Sequence, residues 1–155
     1  IGVKGDFFLR IGMMNPEHVK KFLNELVEVY KNKKIMKFIH IPIQSGSDKV
    51  LGGMNRKYSV KDFKNIVRTF RKEIPDINIS TDIIIGYPTE SENDFKKSVA
   101  LIKEIRPDVL NISKYGPRPW TKAARLKQLP TEIVKERSII MTSEFNKIKR
   151  RKLKR

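Results

Sequence analysis

The chain has 155 residues, of which 39% are hydrophobic and 33% are charged, and it contains no cysteine. This composition predicts a globular domain and excludes disulfide bonds and thiolate metal sites within the chain, and no apolar run reaches the roughly 18 residues of a membrane helix. Lysine and arginine number 34 against 17 acidic residues, so the net charge of +17 predicts a surface that attracts polyanions, nucleic acid above all.

Strands and helices alternate along the chain in four predicted units. Asn15 suits an N-cap with Pro16 at the first helical position, and Ser59 and Ser91 each precede an aspartate by three residues, which resembles a capping box. This alternation predicts a parallel α/β sheet with right-handed crossovers. The predicted strands lie at about 7–12, 36–43, 77–85 and 108–114. The predicted helices lie at about 16–30, 48–52, 60–72, 92–104 and 131–150.

Each predicted strand has one apolar row and one mixed or polar row of side chains. In the third strand, for example, Ile79 and Ile83 alternate with Ser80 and Asp82. A doubly wound sheet is buried on both faces and is apolar on both. The polar side chains on one face of these strands therefore favour an open barrel that surrounds a ligand. The alternatives are core polar groups that bond to one another and a sheet face that is solvated.

Residues at the carboxyl ends of parallel strands are the candidates for a binding site. Asp82 stands in an apolar run and needs a partner, which Arg10, Arg56 or a ligand hydroxyl would provide; a buried structural ion pair is the alternative. His40 either lines the site or packs in the core, whereas His18 is expected to be solvated. The candidate positions at the strand ends are Arg10, Gln44, Ser45, Ser47, Asp82, Gly86 and Tyr115.

The basic end of the chain and one aromatic residue are candidates for contact with nucleic acid. Residues 147–155 carry seven basic residues and no acid, although a solvated helix end would also favour cations there. Trp120 lies among prolines and basic residues, where it could stack on a base or close the floor of the barrel. The predicted RNA-binding residues are Arg118, Trp120, Lys149, Arg150 and Arg151.

Two segments, residues 37–58 and 80–90, resemble the central part of the radical S-adenosylmethionine methylthiotransferases. The closer resemblance is to the archaeal and eukaryotic branch, which acts on threonylcarbamoyladenosine in tRNA. Residues 10–16 and 115–123 resemble further segments of that family's barrel. Thr89 and Trp120 depart from the family's usual glycines, which affects the expected loop geometry.

The resemblance implies that residues 1–155 form the C-terminal two-thirds of a six-stranded open barrel of the radical SAM type, with four parallel strands and helices on the outer face. S-adenosylmethionine is implied as cofactor. The [4Fe–4S] clusters are implied only in the full-length parent, because their cysteines are absent here. The residues that the resemblance assigns to S-adenosylmethionine are His40, Gln44, Ser45, Arg56 and Asp82.

By this resemblance the parent adds a methylthio group to C2 of the modified adenosine beside the anticodon, and tRNA is the partner in the cytoplasm. The start at Ile1 suggests a piece cut from a longer protein. The resemblance implies that this piece lacks the parent's other domains and that, without the cluster cysteines, it is inactive alone. Its unpaired first strand is expected to leave the isolated piece marginally stable or to cause self-association. One alternative is a non-catalytic, basic RNA-binding half-barrel. Another is an unrelated barrel enzyme with a phosphorylated substrate and Asp82 or His40 as the base.

Overall fold

The structure is a computed structural model that describes residues 4–153. Three parallel strands form one sheet in the order β1-β2-β3, and Asp82 of the central strand lies opposite Asn111. The strands are β1 (Phe38–His40), β2 (Asn78–Ile85) and β3 (Val109–Lys114). The helices are α1 (Pro16–Val19), α2 (Leu23–Lys31), α3 (Asp48–Gly53), α4 (Val60–Glu73), α5 (Glu92–Ile105) and α6 (Thr131–Leu153), with a 3-10 turn at Ala123–Arg125.

The strand predicted at residues 7–12 is wrong as a strand, so the described sheet has three strands rather than four. Only Leu9 pairs, through a parallel bridge with Ile35 in which its amide donates to the Lys34 carbonyl at 2.8 Å. Phe8 and Arg10 on either side of Leu9 are exposed, so no packed face holds this segment flat against its neighbour. An extended backbone at Leu9 alone does not make a ladder.

The second predicted strand is shorter than expected. Regular pairing ends at His40 and resumes once, in a bridge between Gln44 and Ile83. Pro42 lies between these two positions and has no N–H to donate to the ladder. The chain nevertheless follows β2, because the Ile41 amide donates to the Ser80 carbonyl at 2.9 Å.

The helix predicted at 16–30 is interrupted after its first turn. Asn15 caps it as predicted, accepting from the Glu17 amide at 3.0 Å. The chain then turns at residues 20–22, where Lys20 Nζ donates to the Lys57 carbonyl at 3.1 Å and to Asp62 Oδ2 at 3.0 Å. These long-range bonds fix the break against the start of α4.

One face of the sheet is packed and the other is open. Ile39, Ile79 and Ile83 are almost fully buried, and the core around them includes Phe63 and Phe70 of α4. His40, Asp82 and Asn111 project from the other face and keep solvent access. This open parallel sheet with outer helices confirms the predicted fold class. Among the described residues, no helix combines the length and the apolar character that spanning a bilayer requires.

Candidate functional site

Three side chains, one from each strand, form a hydrogen-bonded row across the open face of the sheet. His40 Nε2 lies 2.8 Å from Asp82 Oδ1, and Asn111 Nδ2 donates to the same oxygen at 2.7 Å. We call these three residues the polar row. The His40 and Asp82 side chains are 17% and 20% exposed, so solvent reaches both of them on this face of the sheet.

The partners of Asp82 differ from the protein partners that the sequence suggested. Neither Arg10 nor Arg56 bonds to Asp82 within residues 4–153. Instead, Arg10 is exposed and its guanidinium stacks over the Phe38 ring at 4.7 Å. Both hydrogen bonds to Asp82 use Oδ1, and no described residue bonds to Oδ2. Asp82 therefore has a carboxylate oxygen that can accept from a ligand.

Gln44 lies beside the polar row in a conformation that glutamine rarely adopts. Its φ is +73°, in the left-handed region, which costs an L-residue roughly 1–2 kcal/mol. Two backbone bonds hold it there: its amide donates to the Asp82 carbonyl at 2.9 Å, and the Ile84 amide donates to its carbonyl at 2.9 Å. The side-chain amide has no hydrogen bond with a described residue, so it remains available to a ligand.

Arg56 follows α3 and lies next to the same strand end through Tyr58. The Tyr58 hydroxyl donates to the carbonyls of Pro42 and Ile43 at 3.2 Å each. Burial raises the pKa of Tyr58 to about 12, and the nearby Arg56 charge opposes that rise. Arg56 Nε is buried without a partner among the described residues. A buried N–H of this kind is costly unless something bonds to it, so it marks a place for a ligand acceptor.

Ser45 and Gly46 do not face the polar row. Ser45 is fully buried, with its hydroxyl 3.5 Å from that of Ser98 on α5. A Cβ on Gly46 would lie 2.5 Å from Ser98 Cα, so the close approach that glycine permits is to α5 rather than to a ligand. Ser47 likewise points inward and donates to Asp94 at 2.7 Å. This segment is therefore packing that supports the strand end.

The remaining predicted positions lie around the end of the sheet. Gly86 turns the chain at φ +83° and packs against Val134, and Tyr115 meets the Tyr87 ring edge-on at 5.3 Å. His18 is exposed, as predicted.

The loop after β3 displays Trp120 to solvent. The side chain is 94% exposed, so the alternative that Trp120 closes the floor of the barrel is wrong. Its φ of +66° is an outlier for a bulky residue. The turn is fixed by Thr121, whose hydroxyl donates to the Arg118 carbonyl at 2.8 Å. Arg118 is exposed on the same turn.

The predicted RNA-binding residues do not form one patch. Lys149, Arg150 and Arg151 are exposed on α6 near its end, where Lys152 Nζ lies 2.7 Å from Asp108, the residue before β3. Trp120 follows β3 at the opposite, carboxyl end. Two separate basic regions therefore lie at the two ends of the sheet.

A buried ion pair between Glu90 and Arg137 was missed by the sequence analysis. Arg137 Nη1 donates to Glu90 Oε2 at 2.8 Å, and the Gly86 amide donates to the same oxygen at 3.0 Å. Burial raises the pKa of Glu90, while these two donors oppose the rise. The signal was available, because Arg137 lies three residues after Val134 and four before Met141 on the apolar stripe of α6.

The sequence and structure are similar to those of radical SAM proteins. The sequence model of the radical SAM superfamily matches residues 7–102. A probable threonylcarbamoyladenosine tRNA methylthiotransferase of Pyrococcus horikoshii is 54% identical over 139 residues, which are 90% of this chain and 33% of the relative. The human threonylcarbamoyladenosine tRNA methylthiotransferase is 39% identical over 138 residues, which are 89% of this chain and 24% of the relative. The chain thus spans about a quarter to a third of the length of these relatives.

Two solved structures share the fold. Coproporphyrinogen III oxidase from Escherichia coli, a radical SAM enzyme, has a TM-score of 0.68 at 16% identity. The match covers 88% of this chain and 32% of the oxidase chain. An archaeal Elp3 from Methanocaldococcus infernus has a TM-score of 0.64 at 18% identity, with coverage of 90% and 32%. At such identities these likenesses show the fold alone.

Proposed function

The chain belongs to the radical SAM superfamily, and from that premise we propose that it is the part of a tRNA methylthiotransferase that holds S-adenosylmethionine and contacts RNA. The predicted resemblance to the threonylcarbamoyladenosine branch is confirmed by relatives from archaea to human. The alternative of an unrelated barrel enzyme is wrong. We further propose that residues 1–155 are the later two-thirds of the barrel domain and that the whole protein methylthiolates C2 of the modified adenosine.

The polar row is the observation that carries this proposal. Asp82 Oδ2 can accept from a hydroxyl, and the Gln44 amide can both donate and accept, which suits the ribose and the amino acid portion of S-adenosylmethionine. Arg56 Nε suits a carboxylate. His40 holds the Asp82 carboxylate in place. Ser45 supports the strand end from within the packing. In this family S-adenosylmethionine supplies the radical chemistry, and these residues would bind and orient it.

The residues of this chain do not fit an iron–sulfur cluster. The sequence has no cysteine, and residues 4–153 contain no group of three or more side chains that could hold a metal. Reduction of S-adenosylmethionine is therefore assigned to no residue here. We expect the 155-residue chain alone to be catalytically inactive and to bind S-adenosylmethionine without cleaving it.

The RNA partner is proposed from Trp120 and from charge. A fully exposed tryptophan beside Arg118 can stack on an unpaired base, and the net charge of +17 favours a polyanion. These features suit an anticodon loop, whose bases are unpaired. Since tRNA is the proposed substrate, we place the protein in the cytoplasm.

Calorimetric binding of S-adenosylmethionine tests the proposal, with the chain's two histidines as a matched pair. The His40→Ala substitution removes a bond to Asp82 and should weaken binding by about 10-fold, whereas His18→Ala removes an exposed side chain and should leave it unchanged. Both variants should keep the thermal stability within a few degrees of the wild type. Equal effects of the two substitutions on affinity would contradict the assigned site.

The second candidate function, a non-catalytic RNA-binding half-barrel, is favoured by the absence of cysteine, which leaves the exposed Trp120 and the positive charge as the features to explain. It predicts salt-sensitive RNA binding and no detectable binding of S-adenosylmethionine. The same calorimetric titration, followed by an RNA titration, separates the two candidates.

A further inference from the structure

The ends of α5 and α6 enclose a cavity of about 510 Å³ with mostly basic walls. We call it the distal cavity. It lies at the amino ends of the strands, because Lys152 Nζ is 2.7 Å from Asp108, which precedes β3. Since β3 has six residues and spans about 17 Å, the cavity is at the opposite end of the sheet from Trp120. The charged residues that line it are Lys103, Arg106, Glu144, Lys147, Arg151 and Lys152.

The acids near the distal cavity neutralise only part of its positive charge. Glu144 lies 2.8 Å from Lys103 Nζ and 2.6 Å from Lys147 Nζ, and the hydrogen bonds from Lys103 and then Lys147 lower the pKa of Glu144 to about 2. Asp108 pairs with Lys152. Three lysines thus share two carboxylates. Arg106 and Arg151 form no ion pair with any residue in the described part of the chain.

Helix termini do not explain these two arginines. Cations often gather at a helix C-terminus because its carbonyls are negative. At the end of α5, however, Arg71 already donates to those carbonyls, with Nη1 on Ile105 O at 2.5 Å and Nη2 on Arg106 O at 2.9 Å. The guanidinium of Arg106 itself is therefore not needed to satisfy the end of α5.

The backbone of Arg106 also indicates a role for its side chain. Arg106 caps α5 in the left-handed region at φ +47°, a position at which glycine is strongly preferred. An arginine there is strained, because the left-handed conformation brings its Cβ close to the following carbonyl oxygen. Strained residues of this kind gather where a side chain serves a ligand. The arginine fork matches the oxygens of a phosphate group.

We propose that the distal cavity is a binding site for RNA backbone phosphates, contacted by Arg106 and Arg151. The inference rests on the proposed function for the identity of the polyanion. A volume of about 510 Å³ exceeds what one inorganic phosphate needs and suits a stretch of backbone. Helix α6 has 23 residues and is about 34 Å long, so it connects the two ends of the sheet along one side. An RNA that follows α6 reaches both Trp120 and the distal cavity.

The test compares two pairs of substitutions that each remove two positive charges. The cavity pair, Arg106→Gln with Arg151→Gln, removes the two arginines of the cavity that form no ion pair with a described residue. The control pair, Arg68→Gln with Lys72→Gln, removes two highly exposed cations from α4. Binding of a fluorescein-labelled, unmodified tRNA transcript is followed by anisotropy over a range of salt concentrations. Loss of two phosphate contacts should reduce the magnitude of the slope of log K against log salt by roughly 1.4 to 1.8. The cavity pair should show that reduction and about a 10-fold weaker affinity at low salt, and the control pair much less.

Crosslinking provides a second measurement that uses the absence of native cysteine. Single substitutions Arg151→Cys and Arg68→Cys each remove one arginine and each accept a photoactivatable label. The label at residue 151 should crosslink to the transcript, and the label at residue 68 should not.

The outcomes separate this inference from the proposed function. If the wild type does not bind the transcript, the RNA partner of the proposed function fails and the distal cavity inference fails with it. If the wild type binds but the cavity pair and the control pair have equal salt slopes, only the inference is overturned. The inference would also be overturned if the variant with both arginine substitutions bound RNA as tightly as the wild type but no longer sedimented with phosphatidylserine vesicles.

Discussion

Arg137 of α6 donates to the Glu90 carboxylate at 2.8 Å, where the two side chains are only 7% and 1% exposed. This pair joins the last helix to the loop that follows β2. It also holds the turn at Gly86, whose amide shares the same carboxylate oxygen. The position of α6, and with it that of the distal cavity, depends on this buried pair.

Removing one partner of the pair should destabilise the fold strongly. Glu90→Gln removes the buried counterion of Arg137 and leaves only the largely exposed Glu92 beside it, so the free energy of unfolding in urea should fall by about 3–5 kcal/mol. Glu92→Gln is the matched control, because Glu92 contacts the same guanidinium at 3.3 Å but is largely exposed. That change should cost less than about 1 kcal/mol. Similar losses for both variants would show that the buried pair does not anchor α6.

Local signals in the sequence predicted the helix starts, and long-range contacts decided the rest. Asn15 and Ser59 cap helices as predicted, because each bonds within three residues of itself. The break at Lys20 was not predictable, since its partner Asp62 is 42 residues away. The partners of Asp82 required the strand order, which places β1 and β3 on either side of β2. The alternation of apolar and polar residues along this strand showed that Asp82 needed a partner, but it did not identify that partner.

Gly46 offers a test of the packing behind the strand end. The backbone of Ser98 occupies the space that a side chain at residue 46 would need, because Ser98 Cα is 2.5 Å from the position of a Cβ there. Gly46→Ala should therefore destabilise the chain by about 1–3 kcal/mol, because a backbone cannot move aside as a side chain can. Gly52→Ala is the control: it lies in α3 with nothing within 4 Å, and it should stabilise the chain by about 0.5–1 kcal/mol. Chemical denaturation of the two variants measures both changes, and a stable Gly46→Ala variant would contradict this packing.

Asp94 should make the stability of the fold depend on pH in the acid range. Burial alone would raise the pKa of Asp94, but hydrogen bonds from Ser91 and Ser47 and the charge of Lys49 together lower it from 3.8 to about 2. A carboxyl whose pKa is lower in the folded state stabilises that state above pH 3.8 and loses this contribution as the pH falls toward 2. The lost contribution is about 2 kcal/mol.

Unfolding of the wild type and of Asp94→Asn at several pH values between these limits measures that contribution. The variant should show a weaker decrease in stability on acidification than the wild type. Asp76→Asn, at an exposed aspartate, should follow the wild-type curve. Parallel curves for the wild type and the Asp94 variant would contradict the assignment.

The segment before β1 should cause the 155-residue chain to self-associate. Leu9 alone pairs with Ile35, and around this bridge the edge exposes apolar side chains, with Phe8 75% exposed. Unprotected apolar edges pair with other chains, and a lysine on the edge prevents this. Sedimentation equilibrium should therefore show a concentration-dependent dimer for the wild type and a monomer for Phe8→Lys. Ile139→Lys places the same charge on an exposed isoleucine of α6 and should leave the dimer intact. A wild type that is monomeric and unfolds cooperatively would show that this edge is protected without a partner.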